Sequence, residues 1–341
     1  MKRMRILVPM HESLVPPESL EDLSEKERAA CKTEFDVLMT LREMGHEAVP
    51  LGVYDDLSRI RETILEWRPH IVFNMLEEFH GVGVFDQHVV AYLELMRQRY
   101  TGCNPRGLLL ARDKALSKKL LVYHRISTPR FTVYPKGRKI RPPKHPSYPL
   151  LVKSVAEEAS LGISQASIVR SDDRLIDRVA YIHGQIGADA LVEEYIDGRE
   201  FYVGVMGNVR LQTFPVWELL FTKAGDDVPR IATAKVKWDE EYQKKLGLET
   251  RPAEDLTDEI RTQIQKTCKR VFRVLNLSGY ARMDLRLRDD GRVFVLEANP
   301  NPNLSYGEDF AESAESIGIT YEDLLGRIIS LGRSYRAPWQ V

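Results

Sequence analysis

Two segments near the end of the chain have the sequences GYARMD, residues 279–284, and VLEANPN, residues 295–301. Alternating apolar and charged residues run from the first segment to an Asp-Asp-Gly turn at 289–291, and an apolar run leads from the turn into the second segment. Asp-Gly between two such runs is a strong signal for a hairpin turn. The sequence therefore predicts a β-hairpin whose strands carry charged residues between apolar ones.

Four polar residues of this hairpin are spaced to share one face. Arg282 and Asp284 are two residues apart, as are Glu297 and Asn299, and residues two apart on a strand point the same way. Carboxylate and amide oxygens are hard ligands that hold Mg²⁺ together with nucleotide phosphates. A metal also removes the large cost of burying an unpaired carboxylate. We expect a magnesium-binding wall, the alternative being a solvated face with ordinary surface salt bridges.

Length and composition limit the class of protein. A chain of 341 residues suggests two or three domains. The net charge of -1 provides no field that would attract nucleic acid or an anionic membrane. The 3 cysteines are scattered and odd in number, which indicates small buried side chains in a reducing compartment. No apolar run approaches the ~18 residues of a membrane span. We therefore expect a cytoplasmic protein with neither nucleic acid nor membrane as partner.

Strand and helix patterns alternate over the first hundred residues, which predicts an α/β fold with a parallel sheet. We assign residues 1–105 to an N-terminal α/β domain, 106–190 to a small central domain and 191–341 to a C-terminal domain that contains the hairpin. Among the expected elements are helices over 26–44, 112–125 and 171–186 and strands over 4–8, 190–194, 200–206 and 209–217.

The hairpin resembles the magnesium-binding end of the ATP-grasp ligases, most closely of the D-alanine–D-alanine ligase group. This resemblance implies that the N-terminal domain is followed by a two-domain ATP-grasp fold of α+β type. It also implies ATP and two Mg²⁺ ions as cofactors, with Mn²⁺ as the alternative metal. Asp284, Glu297 and Asn299 match the metal ligands, and Arg282 matches the cation that stabilises an oxyanion during catalysis.

Six further residues match the nucleotide-binding positions of the same family. Lysines correspond to the two groups that contact the phosphates, and the segment LVEEYIDGREF, residues 191–201, corresponds to the adenine and ribose edge. The residues and implied partners are Lys114 and Lys153 for phosphate, Glu193 for the adenine amino group, the backbone of Glu194 and Ile196 for the ring, and Glu200 for the ribose hydroxyls.

Two loops complete the catalytic residues that the resemblance implies. Lys237 matches a lysine near the ATP γ-phosphate. Ser160 lies in a stretch of small residues after Lys153 that corresponds to the loop closing over the phosphates. This sequence departs from the family where Ala159 occupies the usual serine position and Trp238 replaces a common tyrosine, so the substrates are expected to differ.

The substrate-binding positions resemble the family least. Glu12 is a candidate for binding a substrate ammonium. Asn303 occupies the position of a glycine that helps to form the oxyanion hole, and its backbone N–H could still donate. Glu308 lies in the stretch YGED, residues 306–309, where acids would repel a carboxylate and favour a cationic group.

Three functions compete at this point. The first is an ATP-dependent, ADP-forming carboxylate–amine ligase that joins amino acids or a small peptide, with either D-alanine or another substrate. The second is an ATP-binding sensor or scaffold without ligase chemistry, against which Arg282 argues because binding alone does not require it. The third is a ligase that acts on a protein side chain or peptide terminus. A homodimer is implied by the resemblance only.

Overall fold

The computed structural model describes residues 2–155, 164–223 and 239–340. Within these ranges the strands are β1 (Arg5–His11), β2 (Glu47–Val53), β3 (Ile71–Val72), β4 (Phe131–Tyr134), β5 (Leu150–Ser154), β6 (Ile168–Val169), β7 (Ala190–Glu194), β8 (Arg199–Met206), β9 (Gln212–Thr213), β10 (Trp217–Phe221), β11 (Leu248–Pro252), β12 (Tyr280–Leu287) and β13 (Val293–Pro300). The α-helices are α1 (Glu25–Ala30), α2 (Lys32–Glu43), α3 (Ser58–Trp67), α4 (Asp86–Leu95), α5 (Pro105–Arg112), α6 (Lys114–Tyr123), α7 (Asp172–Tyr181), α8 (Glu240–Leu246), α9 (Asp258–Val274), α10 (Asp309–Glu315) and α11 (Tyr321–Ser334).

The strands form three sheets. The first is parallel, with the order β2-β1-β3. The second is antiparallel, with the order β4-β7-β5-β6. The third has the order β11-β10-β8-β12-β13, and β9 pairs with β8 outside this path. The α/β class predicted from the sequence is confirmed, with antiparallel α+β sheets after the parallel one. The division at 1–105, 106–190 and 191–341 remains a proposal, which the distribution of the sheets supports.

Two predicted helices differ in their bounds. The helix expected over 26–44 is α1 and α2, separated at Cys31. The helix expected over 112–125 is α6, which begins at Lys114, because a break at Asp113 leaves Arg112 as the last residue of α5. Asp113 is extended and its side chain accepts a hydrogen bond from the Leu116 N–H, so it caps a new helix instead of continuing the old one. Helical periodicity continues across such a break, and for that reason the pattern did not reveal it.

The prediction of one strand over 209–217 was wrong. Residues 208–210 form a bend, and only Gln212–Thr213 pairs with β8 before a new strand begins at Trp217. The helix expected over 171–186 ends as an α-helix at Tyr181 and continues as a π-helical turn, Ile182–Ile186. Its predicted start is confirmed, because the Ser171 side chain accepts a hydrogen bond from the Arg174 N–H.

The parallel sheet and the C-terminal helices share one apolar cluster. Ile6 and Val8 of β1 belong to the same buried cluster as Phe310 of α10 and Leu325 of α11. This packing holds the carboxyl end of β1 beside the segment that follows β13.

A close backbone contact reinforces the junction between these two regions. A Cβ on Gly279 would lie 2.6 Å from the carbonyl oxygen of Gly102, and Gly279 has a φ of +72°, so glycine suits both the space and the conformation. The Cys103 N–H donates to Asn301 Oδ1 at 2.8 Å, directly beyond the end of β13. The start of β12 and the end of β13 are therefore both attached to the segment that follows the parallel sheet.

Within the described part of the chain, the helices are all too short or too polar to cross a lipid bilayer. Cys31, Cys103 and Cys268 are buried free thiols among the described residues, which confirms that they pack as small side chains.

Candidate active site

Strands β12 and β13 form the predicted hairpin, and their register pairs the four polar residues across the two strands. Asp284 pairs with Glu297, and Arg282 pairs with Asn299. A bulge between Asp284 and Leu285 shifts the register directly after the acidic pair. Because β13 is an edge strand of its sheet, Pro300 is tolerated within it. One cation, two carboxylates and one amide thus occupy adjoining positions on a single ribbon.

Strand β8 extends this wall on the other side of β12. Tyr202 lies opposite Asp284, and Glu200 lies opposite Arg286. Burial is strong on this face, since Asp284 is 5% exposed and Arg286 is 3% exposed. Charged side chains therefore lie on a buried face of β12. Burial of a charge is costly unless the charge has a partner.

Arg282 is held by two carboxylates and an aromatic ring. Its Nε and one terminal nitrogen donate to the two oxygens of Asp284 at 2.8 and 3.0 Å, and its other terminal nitrogen lies 3.5 Å from Asp309 Oδ2. The guanidinium carbon stands 4.6 Å from the centre of the Tyr202 ring. Burial disfavours the charged form of Arg282, but Asp284, Tyr202 and Asp309 together outweigh burial and raise its pKa. Arg282 therefore remains a fixed cation at any working pH.

Asp309 is the second acid beside Arg282. Burial raises the pKa of Asp309 to about 6, although the Arg282 charge opposes the shift, and Glu308 and Asp284 add to it. A carboxylate that approaches Arg282 therefore also meets the carboxyl groups of Asp284 and Asp309.

The residues predicted as metal ligands are hard oxygen donors, and their role as ligands stays a prediction. Asp284 and Glu297 supply carboxylates from adjoining positions. The Asn299 Nδ2 atom is buried and has no hydrogen-bond partner among the described residues, so the protein does not fix which end of this amide faces the acids. Lys114 Nζ lies 3.9 Å from Glu297 Oε2, which brings a candidate phosphate-binding cation to the same place. Oxygen donors of this kind suit Mg²⁺ better than they suit softer metals.

Glu193 forms the centre of a buried ion triad. Lys153 Nζ lies 3.0 Å from its Oε2 and Lys118 Nζ lies 2.9 Å from its Oε1. Burial lowers the pKa of Lys118 to about 8, whereas for Glu193 the two ammonium groups overcome burial and hold the pKa below its ordinary value. Lys118 also donates to Thr128 Oγ1 and to the Leu296 carbonyl oxygen, each at 2.9 Å. The triad therefore ties α6, β5 and β7 to the hairpin.

The predicted nucleotide roles of this triad stay predictions. Lys153 is 6% exposed, and Glu193 and Glu297 raise its pKa although burial opposes them. Glu193 Oε1 contacts Lys118 as an ion pair without hydrogen-bond geometry and makes no other hydrogen bond among the described residues. A buried acceptor of this kind retains capacity for a donor such as an exocyclic amino group.

Glu200 and Ile196 are joined by Arg286. The guanidinium of Arg286 donates to Glu200 Oε2 at 2.7 and 3.1 Å and to the Ile196 carbonyl oxygen at 2.7 Å. Glu200 Oε1 accepts from the Tyr202 hydroxyl at 3.1 Å. Glu194 lies at the margin of the same region, 3.1 Å from Arg130. The positions predicted for ribose and adenine are thus adjacent, and their roles stay predictions.

Some predicted residues lie outside the described part of the chain. Ser160 and Lys237 both fall there, as do Ala159 and Trp238, whose departure from the family pattern motivated the expectation of a different substrate. Their predicted roles remain predictions.

The three predicted substrate residues differ in setting. Glu12 is exposed and lies 3.9 Å from Arg59, and Glu308 is exposed at the start of α10. The Asn303 Oδ1 atom accepts from Thr33 Oγ1 of α2 at 2.9 Å and from the Ser305 N–H at 2.9 Å. Asn303 therefore organises the segment after β13. The position of Glu12 gives its predicted ammonium role no support.

A cavity of about 570 Å³ lies at the carboxyl ends of β1 and β3. Open α/β sheets bind ligands at such a place, where neighbouring strands diverge. The residues that line it are His11, Ser13, Leu14, Ala29, Ala30, Thr33, Glu34, Asn74, Met75, Leu76, Glu77, Glu78, Tyr280, Asn301, Pro302, Asn303 and Leu304. Tyr280 is two residues before Arg282, so the cavity and the hairpin wall are neighbours along one strand.

Glu34 makes stability depend on pH. Burial raises its pKa from 4.5 to about 7, and Glu77 adds to the shift. Between these values the folded protein holds a proton that the unfolded chain has released, so the free energy of unfolding falls as pH rises toward 7. We expect Glu34→Gln to stabilise the protein by up to ~3 kcal/mol at pH 8 and by little at pH 4.5. Urea denaturation of both proteins at the two pH values measures this. An equal effect at both would contradict it.

Sequence analysis missed three residues of these clusters. Lys118 lies one helical turn after Lys114, and Arg286 continues the alternation of Arg282 and Asp284, so both could have been found from spacing. Glu34 carries no such signal, because it meets its neighbours only through the tertiary fold.

Comparison with known proteins identifies similar sequences. The family described as "D-ala D-ala ligase C-terminus" matches residues 127–330. An uncharacterised protein of Sinorhizobium fredii is 31% identical over 86% of this chain and 85% of its own length. A D-alanine–D-alanine ligase of Syntrophotalea carbinolica is 29% identical over 92% of this chain and 94% of its own.

Solved structures show the same architecture. A D-alanine–D-alanine ligase from Bacillus anthracis, complexed with ATP, superposes with a TM-score of 0.75 at 22% identity and covers 97% of each chain. At this level of identity the likeness concerns the fold alone. The sequence profile spans more than half of the chain and includes the hairpin, and we conclude that the chain belongs to the D-alanine–D-alanine ligase family of ATP-grasp proteins.

Proposed function

We propose that this protein is an ATP-dependent, ADP-forming ligase that joins the carboxylate of one amino acid or peptide to the amine of another, with substrates other than two D-alanines. The observation that carries the proposal is the hairpin wall, where Arg282, Asp284 and Glu297 adjoin and Lys114 reaches the same acid. Binding of a nucleotide alone would not require a fixed guanidinium beside the acids.

The proposed reaction has two steps. A substrate carboxylate oxygen attacks the γ-phosphorus of ATP, ADP leaves, and an acylphosphate forms. The amine nitrogen of the second substrate then attacks the acyl carbon, phosphate leaves with the C–O bonding electrons, and the ammonium proton passes to solvent. Phosphoryl transfer depends mainly on positioning and charge neutralisation. Mg²⁺ bound by Asp284, Glu297 and Asn299 would neutralise phosphate charge.

This chain's own residues supply the remaining functions. Lys114 and Lys153 would contact the phosphates, with Lys237 near the γ-phosphate and Ser160 in the covering loop. Glu193, the backbone of Glu194 and Ile196, and Glu200 would bind adenosine. Arg282 would donate to the oxyanion of the tetrahedral intermediate, for which one such donor is typically worth ~3 kcal/mol. Its fixed bidentate contact with Asp284 supports this role, because a donor that is already oriented needs no reorganisation during the reaction.

A D-alanine–D-alanine ligase is the second candidate. The names of several relatives favour it, among them the proteins of Syntrophotalea carbinolica and Desulforudis audaxviator. The acids beside Arg282 favour a different substrate, because Asp284 and Asp309 would attract a cationic group in addition to the α-ammonium, which D-alanine lacks.

Release of ADP from ATP and Mg²⁺, measured with a panel of D- and L-amino acids, decides between these candidates. We expect turnover with at least one pair that is not D-alanine and weak turnover with D-alanine alone. Strong turnover restricted to D-alanine would defeat our choice of substrate. Heat of ATP binding without ADP release across the panel would favour a sensor or scaffold. Absence of binding heat with ATP and Mg²⁺ would contradict the assignment of a nucleotide site.

A further inference from the structure

The cavity beside the hairpin wall has a strongly acidic lining. Glu34, Glu77 and Glu78 contribute to it, whereas the described lining residues include neither lysine nor arginine. Among the described lining residues, the side chain that can become cationic by protonation is His11, whose Nε2 lies 3.4 Å from Glu78 Oε1. An excess of negative charge in a partly enclosed space raises the local concentration of cations.

Glu34 is the most deeply buried of the three acids. Its side chain is 7% exposed. Among the described residues it makes no ion pair, and its carboxylate accepts a hydrogen bond from its own backbone N–H. The position of Glu34 in the first turn of α2 favours its charged form through the helix dipole. Burial nevertheless raises the pKa of Glu34. A buried carboxylate that faces a cavity without a cationic partner is costly to keep charged, unless a ligand supplies that cation.

The cavity is also within reach of the reacting groups. Tyr280 and Asn301 line it, and each is two residues from a residue of the wall, Arg282 and Asn299. Two residues along a strand span ~7 Å, which a side chain of three or four carbons can bridge. A substrate bound at Arg282 could therefore place its side chain in the cavity.

We propose that the cavity binds the cationic side chain of a basic amino-acid substrate, with Glu34 as the carboxylate that pairs with the ammonium group. This inference rests on the proposed ligase function and specifies its substrate class. Glu77 and Glu78 add negative potential, and Thr33, Ser13 and Asn74 line the same cavity with polar side chains that can accept further hydrogen bonds from the ammonium.

The first test measures binding alone. D- and L-lysine and D- and L-ornithine are titrated calorimetrically into the nucleotide-free protein, with norleucine as the neutral analogue of lysine. We expect heat from at least one basic amino acid and none from norleucine. Equal binding of lysine and norleucine, or no binding of either, would overturn the inference.

The second test measures turnover with the same compounds, ATP and Mg²⁺. For Glu34→Gln we expect kcat/KM for the basic substrate to fall by ~10- to 100-fold, mostly through KM, with neutral substrates unaffected. Glu43→Gln is the matched control, because Glu43 lies on the same helix, is exposed and does not line the cavity. An equal loss for basic and neutral substrates would indicate a structural role and overturn the inference.

The two tests also separate this inference from the ligase proposal. Selective binding of lysine without ADP release would support the cavity assignment and overturn the ligase. ADP release confined to neutral amino acids would support the ligase and overturn the cavity assignment.

Discussion

Replacing Asp284 with asparagine is expected to lower substrate-dependent ADP release by ~100- to 1000-fold or more. The change removes one of the two carboxylates available to Mg²⁺ and one half of the bidentate contact that orients Arg282. Both changes weaken interactions that stabilise the transition state, so kcat should fall more than KM rises. Glu297→Gln should have a similar effect, since Glu297 adjoins Asp284 on the wall and also contacts Lys114.

The matched control for this prediction is Asp290→Asn. Asp290 lies in the turn of the same hairpin, is 41% exposed and pairs with Arg288 and Arg292. Its replacement should change turnover less than about twofold, as expected for an exposed ion pair away from the site. Circular dichroism and thermal unfolding verify that the fold persists in each variant. Asp284→Asn with undiminished turnover would contradict the metal assignment.

Replacing Glu193 with glutamine is expected to lower the free energy of unfolding by ~3–5 kcal/mol. The substitution leaves the ammonium groups of Lys118 and Lys153 buried without their shared carboxylate, and the two like charges then repel each other. Urea denaturation at pH 7 measures the loss. Glu194→Gln is the control, because the neighbouring Glu194 pairs with the exposed Arg130, and a change below ~1 kcal/mol is expected.

A double variant shows that the loss comes from the triad. Lys118→Met removes one of the stranded charges, so Glu193→Gln should cost less in that background than in the wild-type protein. Residues that share an ion network are typically non-additive by ~0.5–3 kcal/mol. Strictly additive effects of the two substitutions would mean that the triad is not the source of the stability.

The hairpin could be predicted because its evidence is local. The turn, the alternation and the spacing of Arg282, Asp284, Glu297 and Asn299 are all set by sequence neighbours, and the register agrees with them. The breaks at Cys31 and Asp113 were missed, because helical periodicity persists when one residue leaves the helical conformation. Short helices that follow one another closely look the same in the pattern as one long helix.

The cavity that we propose for the substrate could not be predicted in the same way. Glu34 and Asn301 are far apart in the chain, and they come together only because β1 ends beside the segment that follows β13. Glu12 was chosen for its place after the first strand, but the structure turns it outward to Arg59. Carboxylates in a helix are usually solvated, so spacing alone gives no reason to single out Glu34.

The contacts between α2 and the segment after β13 constrain any attempt to retarget the enzyme. Thr33 donates to Asn303, Lys32 Nζ donates to the Tyr306 carbonyl oxygen at 2.6 Å, and the Tyr306 N–H donates to Asp36 at 3.2 Å. Under the proposed cavity assignment, two segments that are remote in the sequence set the specificity jointly. A chimera that receives only one of these segments from a relative would lose the contacts between them. Exchange of both segments together should transfer the relative's substrate selectivity and leave the proposed nucleotide site unchanged.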